Sequence, residues 1–146
     1  MKILHLLQSN RFSGAENVVC QIIRMFKQTP DVEMVYCSPD GQIRESLEDQ
    51  GVSFVPLSSF SIKSIKNIIR KERPDVIHAH DMRASFYAAL VCGKTPLISH
   101  IHNNALDSHG WSLKSIAYYL AAKKAKHIFW VSRSSFEGYA FHKTRA

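Results

Sequence analysis

With 146 residues, 45% of them hydrophobic and 21% charged, the chain is long enough to bury one core and short for two ordinary domains. No stretch approaches the roughly 20 apolar residues that span a bilayer, and the apolar run of MKILHLLQSN is too short for a secretory signal, so a cytoplasmic location is expected. A formal net charge of +7 points to an anionic partner: nucleic acid, anionic lipid or a phosphorylated substrate. Nucleic acid is the weakest of these and is not expected as a partner, because interleaved aromatic and basic residues, zinc-finger spacing and an RNA-recognition signature are all missing. Cys20, Cys37 and Cys92 are odd in number, widely spaced and set among apolar neighbours, which suits reduced core residues rather than a disulfide frame or a zinc site.

Taken in order, MKILHLL is a continuous strand-like run. AENVVCQIIRMFK follows as a helix whose broad apolar face holds Val18, Ile22 and Met25 with Val19, Ile23 and Phe26. VEMVYCSP reads as a strand, and GQIRESLEDQG as a short helix stopped by Gly51. VSFVPL is a strand, SIKSIKNIIRKERP a helix with Ile62, Ile65, Ile68 and Ile69 along one side, and DVIHAHD a strand. ASFYAALVCG gives a helix, TPLISHIHN a strand, LKSIAYYLAAKKA a helix, KHIFWVS a strand, and RSSFEGYAF opens a last helix. Strict alternation with short connections predicts an α/β fold: one Rossmann-like, doubly wound parallel sheet with helices on both faces, a single domain over 1–146. Repeats, linkers and low-complexity stretches are not found.

In such sheets ligands bind at the carboxyl ends of the strands, near the point where strand order reverses. Gly14 stands there, between the first strand and the first helix. Either it admits a phosphate to backbone amides at the positive end of that helix, or it is a plain turn residue. The loop has neither a G-x-G-x-x-G pattern nor the lysine of a P-loop. Other strand ends carry His78, His80 and Asp81, then His100, His102, Asn103 and Asn104, then Ser132 and Arg133. Alternation puts His78 and His80 on one face with Asp81 on the other, and His100 and His102 together. His80, Asp81, His102 and Asn103 are the expected cleft residues, with His78 and His100 deeper as satisfied core histidines. The HAHD run fails the spacing of an H-x-H-x-D-H metal motif, so no metal is expected. Without a nucleophile elbow, a Ser-His-Asp hydrolase is not supported.

MKILHLLQSNRFSGAENVV, RPDVIHAHD, PLISHIHN and HIFWVSRSS, in this order and spacing, resemble the N-terminal half of a GT-B glycosyltransferase of the large retaining family 4. The resemblance implies a two-domain enzyme in which this half holds the acceptor, a saccharide or a lipid-linked molecule. A C-terminal donor-binding domain or subunit would hold most of the nucleotide-sugar, which is a substrate; no cofactor or metal is implied. It implies that Ser13 and Gly14 line the donor diphosphate and that His102 lies beside the transferred sugar, orienting it, hydrogen-bonding it or helping a proton move. Glu16 either touches the donor or simply favours the helix N-terminus. Retention in this family is described as front-face attack, the leaving phosphate taking the acceptor proton. Here Ser13 stands where the more familiar loop has a second glycine. The chain stops at EGYAFHKTRA, where such enzymes continue into the donor half, so it is expected to be inactive alone in building a polysaccharide or glycolipid.

Lys63, Lys66, Arg70, Lys71 and Arg73 accompany the isoleucine stripe, and Lys123, Lys124 and Lys126 follow in AAKKAK. Such a helix either lies on an anionic leaflet, placing the protein at the inner face of the plasma membrane, or packs its isoleucines on the sheet and leaves its cations solvated. Arg83 and Arg133 suit a phosphorylated or lipid-diphosphate acceptor, or plain solvation. Trp111 is either a sugar-stacking platform or an anchor. The alternative function is a non-catalytic binding or assembly module of the same fold.

Overall fold

A computed structural model describes residues 1–102 and 112–142. The elements run β1 (Lys2–Leu6), α1 (Gly14–Met25), β2 (Glu33–Pro39), α2 (Ile43–Asp49), β3 (Phe54–Leu57), α3 (Ile62–Glu72) and β4 (Val76–His80). They continue with α4 (Met82–Val91), β5 (Leu97–Ile101), α5 (Leu113–Lys124), β6 (His127–Trp130) and α6 (Arg133–Glu137). The six strands form one sheet in the order β3-β2-β1-β4-β5-β6, and every pairing is parallel. This is the doubly wound arrangement, with the order reversing between β1 and β4.

Alternate residues of the strands enter two different layers. Leu4, Leu6, Val35, Cys37, Ile77, Ala79 and Leu97 pack with Ile65 of α3 and with Ala84 and Ala88 of α4. On the opposite face Leu7 and Tyr36 pack with Val19, Cys20 and Ile23 of α1 and with Ile43 and Leu47 of α2. A third cluster joins Met82 and Ile101 to Tyr118, Ala121 and Ala122 of α5. The sheet is therefore covered on both faces, as the alternation predicts.

The helices show how packing refines periodicity. In α1 the buried residues are Glu16, Val19, Cys20 and Ile23, while Met25 is 77% exposed and Phe26 is also exposed. The buried stripe follows the i, i+3, i+4, i+7 spacing from Glu16, which rotates Met25 out and leaves Val18 and Ile22 half-buried. In α3, Ile65 is buried and Ile68 and Ile69 pack on the core, whereas Ile62 is exposed. Lys63, Lys66, Arg70, Lys71 and Arg73 are all exposed. The isoleucine stripe thus lies mostly against the sheet. No helix among the described residues is long and apolar enough to cross a membrane. The three cysteines are free and buried, and desolvation pushes the Cys37 thiol up to about 12, so it stays protonated.

Candidate functional site

The β1–α1 connection opens the site. Ser13 caps α1 in extended conformation, and the Glu16 carboxylate accepts hydrogen bonds from the Ser13 backbone N–H at 3.1 Å and from its hydroxyl. This is the reciprocal bracing of a capping box. Glu16 is 4% exposed, so its carboxylate is held by the cap. A Cβ added at Gly14 would meet nothing within 4 Å, so no neighbour among the described residues demands a glycine there. Its bare Cα faces open space.

That space is a cleft of about 430 Å³ at the carboxyl ends of the strands. Ser9, Ser13, Gly14 and Glu16 line it from the β1–α1 side, and His80, Asp81 and His102 from the ends of β4 and β5. Val131, past β6, completes the lining. The cleft sits beside the β1/β4 reversal, the place the doubly wound topology assigns to ligands.

Behind it lies a row of imidazoles created by register. His5 of β1 is paired with His78 of β4, and His80 with His100 of β5. Period-two alternation then brings His5, His78, His80, His100 and His102 onto one sheet face. His5 Nδ1 lies 3.1 Å from His80 Nε2, and His80 Nδ1 lies 2.9 Å from His102 Nε2. His80, 1% exposed, thus spends both nitrogens on other histidines. The rings also pack together, stacked with centroids 4.3 Å apart for His78 and His80 and tilted at 4.1 Å for His100 and His102.

Burial first, and repulsion between neighbouring imidazoles second, hold His5 and His100 at about 4, His78 at about 3 and His80 well below the usual histidine range. His102 is lowered by desolvation, against which the Glu16 carboxylate pulls upward. At neutral pH the row is uncharged. His5 Nε2, His78 Nε2 and His100 Nδ1 are buried without a hydrogen-bond partner among the described residues. His78 and His100 are therefore not the fully satisfied core histidines expected: each keeps one buried nitrogen unmatched among the described residues, because the neighbouring imidazoles pack on their rings rather than meeting those nitrogens.

Asp81 also lines the cleft, although strand alternation set it on the face opposite His80. Strand alternation ends at His80, and Asp81 takes φ 70°, ψ 166° as the N-cap of α4. At this ψ the backbone lies outside the left-handed helical well, in a region used almost only by glycine, so the conformation is strained. The turn brings it into the same cleft as His80, where its Oδ1 accepts the His102 backbone N–H at 3.1 Å and its own N–H donates to the His100 carbonyl at 2.8 Å. His102 is consequently fixed twice, through its backbone by Asp81 and through its ring by His80.

Three other expected cleft residues do not line it. Arg83 lies on α4 with its guanidinium 5.4 Å from the ring centroids of Phe60 and Tyr87, where cation–π attraction holds it. Ser132 caps α6 by accepting from the Ser135 N–H at 3.1 Å, and Arg133, 88% exposed, pairs with Glu137 at 2.7 Å. Asn103, Asn104 and Trp111 lie outside the described residues. Sequence reading passed over His5; its one signal was a histidine inside an otherwise apolar strand.

The sequence profile of Glycosyltransferase Family 4 matches residues 12–140. No curated protein matches. Among solved structures, HepE (Alr3699) of Anabaena, in complex with UDP-glucose, superposes with a TM-score of 0.81 at 21% identity, over 100% of this chain and 42% of that one. WaaB, a lipopolysaccharide outer core galactosyltransferase, gives 0.70 at 15% identity over 94% of this chain and 41% of that one. A putative UDP-N-acetylglucosamine 2-epimerase from Listeria monocytogenes gives 0.66 at 14% identity, over 99% and 42%. This chain spans less than half the length of these structures. With the profile matched across most of the sequence and the sheet ordered as above, the chain belongs to glycosyltransferase family 4.

Proposed function

We propose that this chain is the acceptor-side half of a retaining glycosyltransferase that moves a sugar from a nucleotide-sugar to a saccharide or lipid-linked acceptor. A C-terminal donor-binding half would complete the cleft, and these 146 residues alone would not turn over. One observation carries the reading: His102, neutral and held from two sides, shares a single cleft with the glycine-opened N-terminus of α1. The complexes of HepE with UDP-glucose and with UDP and glucose, and the galactosyltransferase WaaB, support a nucleotide-sugar donor and surface-polysaccharide or glycolipid synthesis.

The chemistry follows from charge. A departing nucleoside diphosphate accumulates negative charge, and unpaired amides at a helix N-terminus meet it at low reorganisation cost. Gly14 supplies that approach, since no side chain there stands between the phosphate and the backbone, and Ser13, its N–H and hydroxyl held by Glu16, lines the diphosphate as the cap of the helix. Glu16 acts through Ser13, holding the cap rather than touching the anion. A neutral His102 accepts or donates a hydrogen bond at the transferred sugar without adding a charge of its own. The leaving phosphate takes the acceptor proton, and no metal is needed for the transfer.

The protein works in the cytoplasm. With the α3 isoleucines packed inward, any hold on the inner leaflet is electrostatic, through Lys63, Lys66, Arg70, Lys71 and Arg73, at about 1 kcal/mol per cation near the surface. Arg83 and Arg133 stand outside the described cleft and are candidates for a larger, phosphorylated acceptor only.

The test is a transfer assay on this chain joined to, or mixed with, its C-terminal half, with a panel of nucleotide-sugars and a membrane extract as acceptor. Transfer requiring both halves and lost in His102→Ala supports the reading. Folded protein with a complete partner half and no transfer from any donor leaves the non-catalytic binding module.

A further inference from the structure

We infer that His80, His100 and His102 form a binding site for one divalent transition-metal ion, entered from the cleft. One ring nitrogen from each lies within 4.8 Å of one from each of the others. His80 Nδ1 and His102 Nε2 are already 2.9 Å apart. Two imidazole nitrogens on a tetrahedral ion at about 2.0–2.1 Å stand about 3.3 Å apart, so small rotations of these rings suffice. His100 supplies the third ligand, and its Nδ1 is a buried nitrogen with no hydrogen-bond partner among the described residues. Native proteins rarely leave such an atom unmatched without a ligand or ordered water to meet it.

Three further features suit an ion. The cluster's imidazoles are neutral at pH 7, the form that binds metal, and an all-imidazole set favours Zn²⁺, Co²⁺, Ni²⁺ or Cu²⁺ over Mg²⁺ or Ca²⁺. His80 keeps its other nitrogen on His5 Nδ1 at 3.1 Å, the outer hydrogen bond that fixes the tautomer and orientation of ligating histidines. Finally, His102 opens onto the cleft, where the carboxylates of Asp81 and Glu16 provide negative charge near a dication and room is left for a fourth ligand.

A second trio, His5, His78 and His80, meets the same distance criterion, but all three of its members are buried, whereas His100 and His102 are half-buried. The ion is no part of the transfer chemistry. By taking His80 Nδ1 and His102 Nε2 as ligands it replaces the hydrogen bond that holds the His102 ring beside the transferred sugar; that consequence, unlike the site itself, rests on the sugar-transfer reading.

The experiment is direct binding to tag-free protein stripped by chelator and dialysed. Zn²⁺ is titrated by calorimetry and Co²⁺ by visible absorption. One equivalent should bind, Co²⁺ with the intense visible bands of a tetrahedral site. His100→Phe, which keeps an aromatic ring against Phe129, should weaken binding by about 100-fold or more, and His5→Phe by roughly 10–100-fold as an outer partner. His127→Phe, at an exposed histidine on β6, should leave it unchanged. Should His100→Phe fail to fold by circular dichroism, His102→Ala carries the same expectation at the mouth of the cleft. Wild-type binding no tighter than that of His100→Phe overturns the site, as does equal loss in His127→Phe. Loss in His78→Phe with retention in His100→Phe moves the ion to the inner trio and equally overturns the assignment.

Discussion

The two faces of the central strands differ by one residue of register and by nearly everything else. On one face Leu4, Leu6, Ile77, Ala79 and Leu97 interlock with α3 and α4 as an ordinary aliphatic core. On the other, His5, His78, His80 and His100 come from the same strands, within one or two residues of those aliphatics, and stack as imidazoles with three buried nitrogens unmatched among the described residues. Stability and chemistry are thus divided across the thickness of a single sheet. Burial that stabilises the aliphatic face is a cost on the imidazole face, because a desolvated polar atom without a partner loses about 1–3 kcal/mol.

Acid should separate the faces most strongly. For His5 and His78 the folded values near 4 and 3 lie below the usual 6.5 of an unfolded chain. Above pH 6.5 both states are neutral and stability is full; as pH falls from 6.5 toward 4 the unfolded chain takes up protons the folded one refuses. Each group then removes about 1.4 kcal/mol per pH unit, read as a falling Tm between pH 7.5 and 5 with chelator present. A Tm flat across that range would contradict the neutral row. Ile77→Ala, on the aliphatic face, should cost about 2–5 kcal/mol in denaturant unfolding without changing that pH slope.

In the complete enzyme, His102→Ala should lower kcat by about 100-fold or more, within the range for losing one positioned hydrogen-bonding group at the reacting centre, with little loss of Tm. His78→Ala, one turn of alternation deeper, should act chiefly on stability. Equal losses of activity at matched stability would break the proposed division of roles. A smaller effect is expected at Gly14: Gly14→Val should raise the donor KM several-fold while leaving Tm unchanged, because its Cβ meets only open space. An unchanged KM returns Gly14 to a plain turn. Smallest of all, His78→Leu should be near neutral or slightly stabilising, since it removes an unmatched nitrogen and keeps the volume. It should also flatten the acid slope.

Much of this was legible from residue order. Apolar runs alternating with helical periods specify the doubly wound sheet, and the parity of His78 with His80 and of His100 with His102 places each pair on one face. His5 was not legible, because its role depends on β1 lying beside β4, a pairing between segments far apart in sequence. Asp81 was legible as a cleft residue but the turn that brings it there was not, because alternation holds only inside a strand and its positive φ begins one residue beyond the end of β4. Arg83, Ser132 and Arg133 sit at strand ends as expected, yet an aromatic pair, a helix cap and an ion pair hold them in place outside the cleft. Strand alternation says which face a residue leaves from, and local partners decide where it goes.

The position of β1 between β2 and β4 also bears on how the chain folds. The His5–His80 hydrogen bond joins residues separated by 75 positions, and Lys2 pairs with Glu72 at 2.8 Å. Non-local parallel pairing pays its loop-closure entropy before it is rewarded, which slows folding. During synthesis β1 can dock on β2 early, but its second edge waits until β4 has left the ribosome. The histidine row therefore assembles after the first two βα units, and a nascent chain paused before residue 76 carries its central strand with one edge still open to unwanted partners.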